Sequence, residues 1–261
     1  MTCQTCGVPA DACPLMAEDL YPCCESENSA PSCPSKPSHD HDDKDSCCCK
    51  GSMVEALQLL CSESVSSLVD FDKFFFLTDA LAVGSTLAVP GTDSDNIDPP
   101  AATLRRFSPC NCALLDVAGT AYPATIGATG VLLRNVDQLS LCALKAVGFQ
   151  LADAECPEEC GDTNFDRAVR AIRRAIRAEG GNTGACGRCG AHCDCDDCCC
   201  VDGIVNELST RNLSRQVTIT AGPLVLQGAT VLGSIGSVLV LARESTNRIF
   251  LVCANAIEAI G

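Results

Sequence analysis

Cys47-Cys48-Cys49-Lys50-Gly51-Ser52-Met53-Val54-Glu55-Ala56-Leu57 has a counterpart later in the chain, and these two segments decide the predicted fold. The counterpart is Cys198-Cys199-Cys200 followed by Val-Asp-Gly-Ile-Val-Asn-Glu-Leu, at an offset of 151 (198 minus 47). Leu57 therefore aligns with Leu208 behind a cysteine triplet. Self-similarity of this kind indicates an internal repeat, and a repeat determines which architecture to expect.

A second similarity lies downstream of the two triplets. Thr125-Ile126-Gly127 and Ser234-Ile235-Gly236 each precede apolar runs that end near Cys142 and Cys253. The offset is now 109 (234 minus 125), so the second copy is predicted to be shorter than the first by the difference between the two offsets (151 minus 109). We expect the excess between the helix and the strand pair, where residues 93–100 read as an inserted loop. The alternative is coincidence between Cys-rich and Val/Leu-rich segments.

The apolar runs are short and are separated by Gly and Pro, which favours strands. We therefore predict a mainly β fold with short helices, made of two related β-sandwich-like units from an internal duplication, plus Cys-rich flexible segments. The predicted divisions are a flexible segment 1–46, a first β unit 47–151, a Cys-rich insert with a basic helix 152–197, and a shorter β unit 198–261. Strand alternation predicts burial of Val131, Leu133, Leu141 and Val147 in the first unit, and of Val238, Val240, Leu251 and Ile257 in the second.

Two segments carry helical signals. Ser52 and Glu55 form a capping box, which predicts a helix from there to about Ser64. Apolar residues from Phe165 to Ile176 recur at helical spacing, with arginines on the opposite face. We interpret those arginines as a surface that pairs with acidic groups of this chain or of a neighbouring subunit.

Residues 224–242 carry no charge over their whole length, which is long enough to span a membrane. Their polar, glycine and β-branched residues favour a β-hairpin instead. The net charge of −15 argues against nucleic-acid binding, because a basic surface supplies most of that affinity.

The chain holds 23 cysteines, yet it begins Met1-Thr2-Cys3-Gln4 with no basic and apolar leader. We therefore expect synthesis in the cytoplasm without a signal peptide, where cysteines stay reduced. Either the thiols bind metal there, or they are oxidised later in different surroundings.

The metal alternative rests on the tract from Cys186 to Cys200. Cys-x2-Cys pairs and imidazole are zinc ligands, and the candidates are Cys186, Cys189, His192, Cys193 and Cys195. The second pair follows too soon for a finger, where a dozen or more residues fold between the pairs. Zinc is thus the cofactor of an alternative function, a cytosolic Cys-rich metal-binding protein, and the leading interpretation has no cofactor.

The cysteines can also be interpreted as residues that form disulfides. Adjacent cysteines point in different directions, so one triplet can bond to separate segments or to other chains, and clustered thiols favour exchange. The candidates for cross-linking are Cys23, Cys24, Cys47, Cys48, Cys49, Cys110, Cys112, Cys198, Cys199 and Cys200.

Catalytic motifs are missing from the sequence. The three histidines lie at 39, 41 and 192, and no nucleophile elbow, phosphate loop or dinucleotide fingerprint occurs. We therefore predict that the protein is not an enzyme.

The two triplets, Ser108-Pro109-Cys110-Asn111-Cys112 and the small-residue strands resemble the cysteine-rich spore-surface proteins of endospore-forming Firmicutes, which are coat, exosporium and appendage components. The resemblance implies a structural protein made in the mother cell, which assembles with itself and with other cysteine-rich surface proteins. Disulfides would form after that cell lyses, leaving the protein on the spore surface. This would reconcile the cysteine content with the absence of a leader.

Overall fold

The computed structural model describes residues 48–87, 99–107, 114–128, 130–152, 163–178 and 203–261. The helices are α1 Cys48–Leu59, α2 Glu63–Ser66 and α3 Asn164–Ala178, with a further helical segment at 203–211. The strands are β1 Val69–Thr78, β2 Leu81–Val83, β3 Thr103–Phe107, β4 Leu114–Pro123, β5 Leu133–Ser140, β6 Leu144–Leu151, β7 Gln216–Ala221, β8 Leu224–Ile235, β9 Val238–Arg243, β10 Arg248–Cys253 and β11 Ile257–Ile260. The prediction of a mainly β fold is confirmed.

The aromatic run in β1 forms the centre of the fold. Phe74, Phe75 and Phe76 are completely buried, so this strand is covered on both faces. Because successive side chains of a strand point to opposite faces, Phe74 and Phe75 belong to different hydrophobic clusters. The ring of Phe74 lies 5.4 Å from that of Phe149 on the neighbouring strand β6.

All eleven strands belong to one antiparallel sheet. Its order is β11-β7-β8-β9-β10-β6-β1-β2-β4-β3, and β5 pairs with the other edge of β4. We expected two sandwich-like units, but the strands of both halves are hydrogen-bonded into a single sheet through β10 and β6.

The two halves of this sheet have the same strand order. In the first half (β1–β6) a meander runs through β1, β2, β4 and β5, and β6 returns to pair with β1. In the second half (β7–β11) the meander runs through β7, β8, β9 and β10, and β11 returns to pair with β7. A 3₁₀ turn precedes each returning strand, at Leu141–Ala143 and Ala254–Ala256, and the offset between the two turns is 113 (254 minus 141).

The largest single part of the extra length of the first half lies between the start of β2 and the end of β3, which together correspond to β8. β8 is one strand of 12 residues, whereas β2 and β3 are separated by residues 84–102. Hydrogen bonds of 2.7 and 2.9 Å between Phe74 and Ala102 tie β1 to the residue before β3. Residues 125–127 lie between β4 and β5 while Ser234–Ile235 end β8, so the expected equivalence of those two segments is wrong.

The core predictions are confirmed on the inner strands and wrong at one edge. Six of the eight residues are buried, with exposures of 7% or less: Leu141, Val147, Val238, Val240, Leu251 and Ile257. Val131 and Leu133 are instead 47% and 51% exposed. They lie just before and at the start of β5, a strand with only β4 beside it among the described residues.

The helices and the uncharged segment are close to expectation. α1 begins at Cys48, so Ser52 lies inside the helix and is not its cap. α3 forms where predicted, with Ile172 and Ile176 buried. Residues 224–242 form the hairpin of β8 and β9, and none of the helices in the described ranges is long and apolar enough to cross a membrane.

Candidate functional site

The two halves of the sheet meet at a joint formed by β6 and β10. Five residue pairs span it, from Arg248 opposite Gln150 to Val252 opposite Ala146. Phe250 and Leu251 are buried at its centre, opposite Gly148 and Val147. A Cβ atom on Gly148 would lie only 3.0 Å from the ring of Phe250, so the missing side chain makes room for that aromatic ring.

Helix α1 packs against β8, β9 and the β10 side of this joint, and is bonded to it. Cys49, in the first turn of α1, forms a disulfide with Cys253 at the end of β10, with Cα atoms 5.8 Å apart. Both residues are buried, with 5% and 0% exposure. The Cys253 sulfur also lies 3.4 Å from the carbonyl oxygen of Leu144, at the start of β6. The disulfide therefore ties α1 to the end of the strand through which the two halves are hydrogen-bonded together.

A second contact fixes α1 against the turn between β8 and β9. The backbone N–H of Ser237 donates to Ser52 Oγ at 3.0 Å, and the two hydroxyl oxygens lie 3.2 Å apart. Gly236 has φ +51°, and a Cβ atom there would collide with Ser52 Oγ. Glycine thus allows both the left-handed turn and the close approach of the helix.

The structure corrects the expectation for Cys49. We expected the triplet to lie outside the sheet and to link neighbouring chains, but the Cys49 sulfur is bonded within its own chain. The physical reason is that Cys49 occupies the same apolar face of α1 as Met53 and Leu57, which packs on the sheet. Cys48 lies in the same helix.

Most of the other predicted site residues lie outside the described residues. These are the candidates Cys23, Cys24, Cys47, Cys110, Cys112, Cys186, Cys189, His192, Cys193, Cys195, Cys198, Cys199 and Cys200. Their roles in cross-linking or in zinc binding stay predictions. Within the ranges that the structure describes, no three His, Cys, Asp or Glu residues come together as a metal site.

Three cysteines not among the predicted site residues have a described position. Cys253 bonds to Cys49, and Cys61, which is 8% exposed, is also part of a disulfide. Cys142 is partly exposed in the 3₁₀ turn between β5 and β6. The only signal for Cys253 in the sequence is its position at the end of an apolar strand, which says nothing about its partner.

The large apolar side chains that are exposed among the described residues lie near the two ends of the sheet. They are Leu114, Val131, Leu132 and Leu133 around β4 and β5, and Ile260 on β11. Their exposures range from 38% to 58%. Single exposed apolar residues need no explanation, but this set follows the outer strands.

Comparison with known proteins gives two matches. The family model described as spore coat protein CotA-like matches residues 47–261. The chain is also 32% identical, over 267 residues, to "Spore coat protein CotA" of Clostridioides difficile (strain 630), with 82% of this chain and 83% of that protein covered. No solved structure gives a significant match.

Proposed function

Because the chain belongs to the spore coat protein CotA-like family, a family of spore-surface proteins, we propose that it is a structural component of that surface with no enzymatic activity. Chains assemble with one another and with other cysteine-rich surface proteins, and disulfides between chains make the layer or filament covalent. The protein is made in the mother cell and is oxidised after that cell lyses.

The observation that carries this proposal is the division of the cysteines between those in internal disulfides and those outside the described residues. Five of the 23 lie in described residues, namely Cys48, Cys49, Cys61, Cys142 and Cys253. Of these, Cys49, Cys61 and Cys253 are in disulfides. The other 18 (23 minus 5), including the triplet at 198–200, lie outside the described residues. A described fold closed by its own disulfide, in a chain with 18 further cysteines, suits a subunit that is cross-linked to its neighbours.

The shared strand order of the two halves supports the proposal that they arose by duplication of one unit. Each half has the meander, the 3₁₀ turn and the returning strand in the same sequence. Strand pairing between two similar halves inside one chain suits a protein whose chains also pair with one another.

The test is extraction from purified spores in denaturant, with and without reductant, followed by detection on a gel. We expect species much larger than 27.2 kDa without reductant and the monomer with reductant. A monomer under both conditions, or absence of the protein from the spore surface, would exclude covalent assembly there.

Zinc binding by the tract from Cys186 to Cys195 is a separate proposal, and it rests on ligand type and spacing alone. Elemental analysis of protein purified without oxygen tests it. Zinc at one or more per chain, lost on acidification as the thiolates protonate, would support it. Protein without zinc, in which the same cysteines are in disulfides, would exclude it.

A further inference from the structure

We infer that neighbouring chains join by pairing β5 of one chain with β11 of the next, which repeats between chains the β6–β10 joint found within each chain. The inference rests on the proposed assembly role and names the surface that carries it. The partner is a second copy of this chain.

The argument starts from the equivalence of the two halves. The internal joint brings the returning strand of the first half, β6, beside the fourth meander strand of the second half, β10. The equivalent strands that are left at the outer ends are the returning strand of the second half, β11, and the fourth meander strand of the first half, β5. Among the described residues β11 pairs only with β7, and β5 only with β4. In the described part of each chain, the two strands needed to form such a joint, β5 and β11, therefore lie at the outer edges of the sheet.

The exposed apolar side chain of Ile260 gives a second, independent reason. Ile260 on β11 is 39% exposed. Val147, which holds the equivalent position on β6 at the internal joint, is buried there opposite Leu251. An exposed strand edge with apolar side chains is a template for pairing with another chain. Burying the Ile260 side chain between two chains favours association.

The register follows from the internal joint. The end of β5, the 3₁₀ turn and the start of β6 match the end of β10, its turn and the start of β11 at a constant offset of 113 (254 minus 141). In the internal joint Leu251 of β10 lies opposite Val147 of β6. The position on β5 equivalent to Leu251 is Gln138, and the position on β11 equivalent to Val147 is Ile260. Gln138 is therefore placed opposite Ile260 of the next chain. In the same way, the pair Val252–Ala146 places Leu139 opposite Ala259. The joint between chains is therefore shorter than the internal one, because β11 has four residues and β6 has eight.

Glu258, the charged residue of β11, does not oppose the pairing. Glu258 on β11 occupies the position of Lys145 on β6, since the two are related by the same offset (258 minus 145). Lys145 is accommodated at the paired internal edge, where its Nζ lies 3.6 Å from a carboxylate oxygen of Asp79. Since β5 and β11 are different surfaces, the contact is head-to-tail, and repetition generates a ring or a filament according to its rotation.

The test uses two full-length chains, one with Gln138→Cys and one with Ile260→Cys, mixed under reductant and then oxidised. Both positions are accessible, and directly opposed strand residues are close enough for a disulfide. We expect mass spectrometry to find a peptide containing residue 138 linked to one containing residue 260. A second pair, Ser140→Cys with Glu258→Cys, lies on the same face in the same register and should link as well.

The matched control is Gln138→Cys mixed with Ala259→Cys, because adjacent residues of a strand point to opposite faces. We expect at least tenfold less linkage than for the pair 138–260. In sedimentation, Ile260→Lys should weaken association at least tenfold. Gln227→Lys, an exposed position on a strand with neighbours on both sides, should leave association unchanged.

Two results would overturn the β5–β11 joint. One is that the pairs 138–260 and 140–258 link no more than the control pair. The other is that Ile260→Lys and Gln227→Lys associate equally well. That failure is distinct from failure of the proposed function. Spore extracts would still contain reductant-sensitive polymers if chains assemble through another surface, and would contain only monomer if the covalent assembly itself is wrong.

Discussion

Cys49, in the first turn of α1, and Cys253, at the last residue of β10, are joined by a disulfide that spans 204 residues of sequence. This bond connects the start of the described fold to the strand at the centre of its sheet. It is a bond within one chain.

We therefore predict that Cys253→Ser lowers the free energy of unfolding by about 2–5 kcal/mol, since a cross-link closing so long a loop restricts the unfolded chain strongly. Urea or thermal unfolding without reductant measures the change. Cys142→Ser is the matched control, because that cysteine is partly exposed and outside this bond, and its effect should stay within about 0.5 kcal/mol. Equal effects of the two replacements would mean that the Cys49–Cys253 bond does not stabilise the fold.

The contact between α1 and the β8–β9 turn predicts a difference between two glycines. Gly236→Ala should cost about 1–3 kcal/mol, because φ is +51° and the new methyl group collides with Ser52 Oγ. Gly222 has a similar φ of +56° but nothing within 4 Å of the Cβ position, so Gly222→Ala reports backbone strain alone. Thermal unfolding of both variants isolates the helix contact. Identical losses would show that Ser52 moves aside without cost.

At the internal joint, Leu251→Ala should cost about 2–5 kcal/mol, since the residue is 1% exposed and its removal leaves a cavity. Leu132→Ala removes the same atoms from a side chain that is 58% exposed. We expect that variant to unfold within about 0.5 kcal/mol of the original protein. Denaturant titration of both variants compares the free energy of unfolding lost at a buried leucine with that lost at an exposed one. A small loss for Leu251→Ala would mean that the joint is loosely packed.

Replacing Cys198, Cys199 and Cys200 together by Ser should leave the monomer folded but reduce covalent assembly. The reason is that the described sheet closes its Cys49–Cys253 disulfide without this triplet. Circular dichroism and thermal melting report the fold, and non-reducing gels report the assembly. Unfolding of the triple variant would identify the triplet as an internal staple or a set of metal ligands.

The strands at the centre of the sheet could be predicted from the sequence, whereas its edges could not. The run Phe74–Leu77 is apolar throughout, and the polar, glycine and β-branched residues of 224–242 favour strands over a membrane-spanning helix. Alternation also predicts which face Leu133 occupies, but it does not say whether another strand lies beside β5. Exposure of that residue depends on strand order, which is set by contacts distant in sequence.

The cysteine pairing could not be predicted for a related reason. Adjacency within a triplet suggests similar roles for its members, yet Cys49 points from α1 into the core. Its partner is 204 residues away and is selected by the packing of α1 on β10. The two triplets predict a repeat, but the correspondence of β5 with β10 is visible only in the strand order.

The central claim is that assembly is covalent between chains while the Cys49–Cys253 bond is internal. Isotopically heavy and light chains, mixed in equal amounts under reductant, assembled and oxidised, test it by mass spectrometry of disulfide-linked peptides. We predict that linked peptides containing Cys49 and Cys253 pair heavy with heavy and light with light, once partly unfolded material has been removed. Peptides containing Cys198–Cys200 should include heavy–light pairs in about the proportion expected for random mixing between chains. Linked peptides that are all unmixed, from assembled material, would contradict covalent assembly.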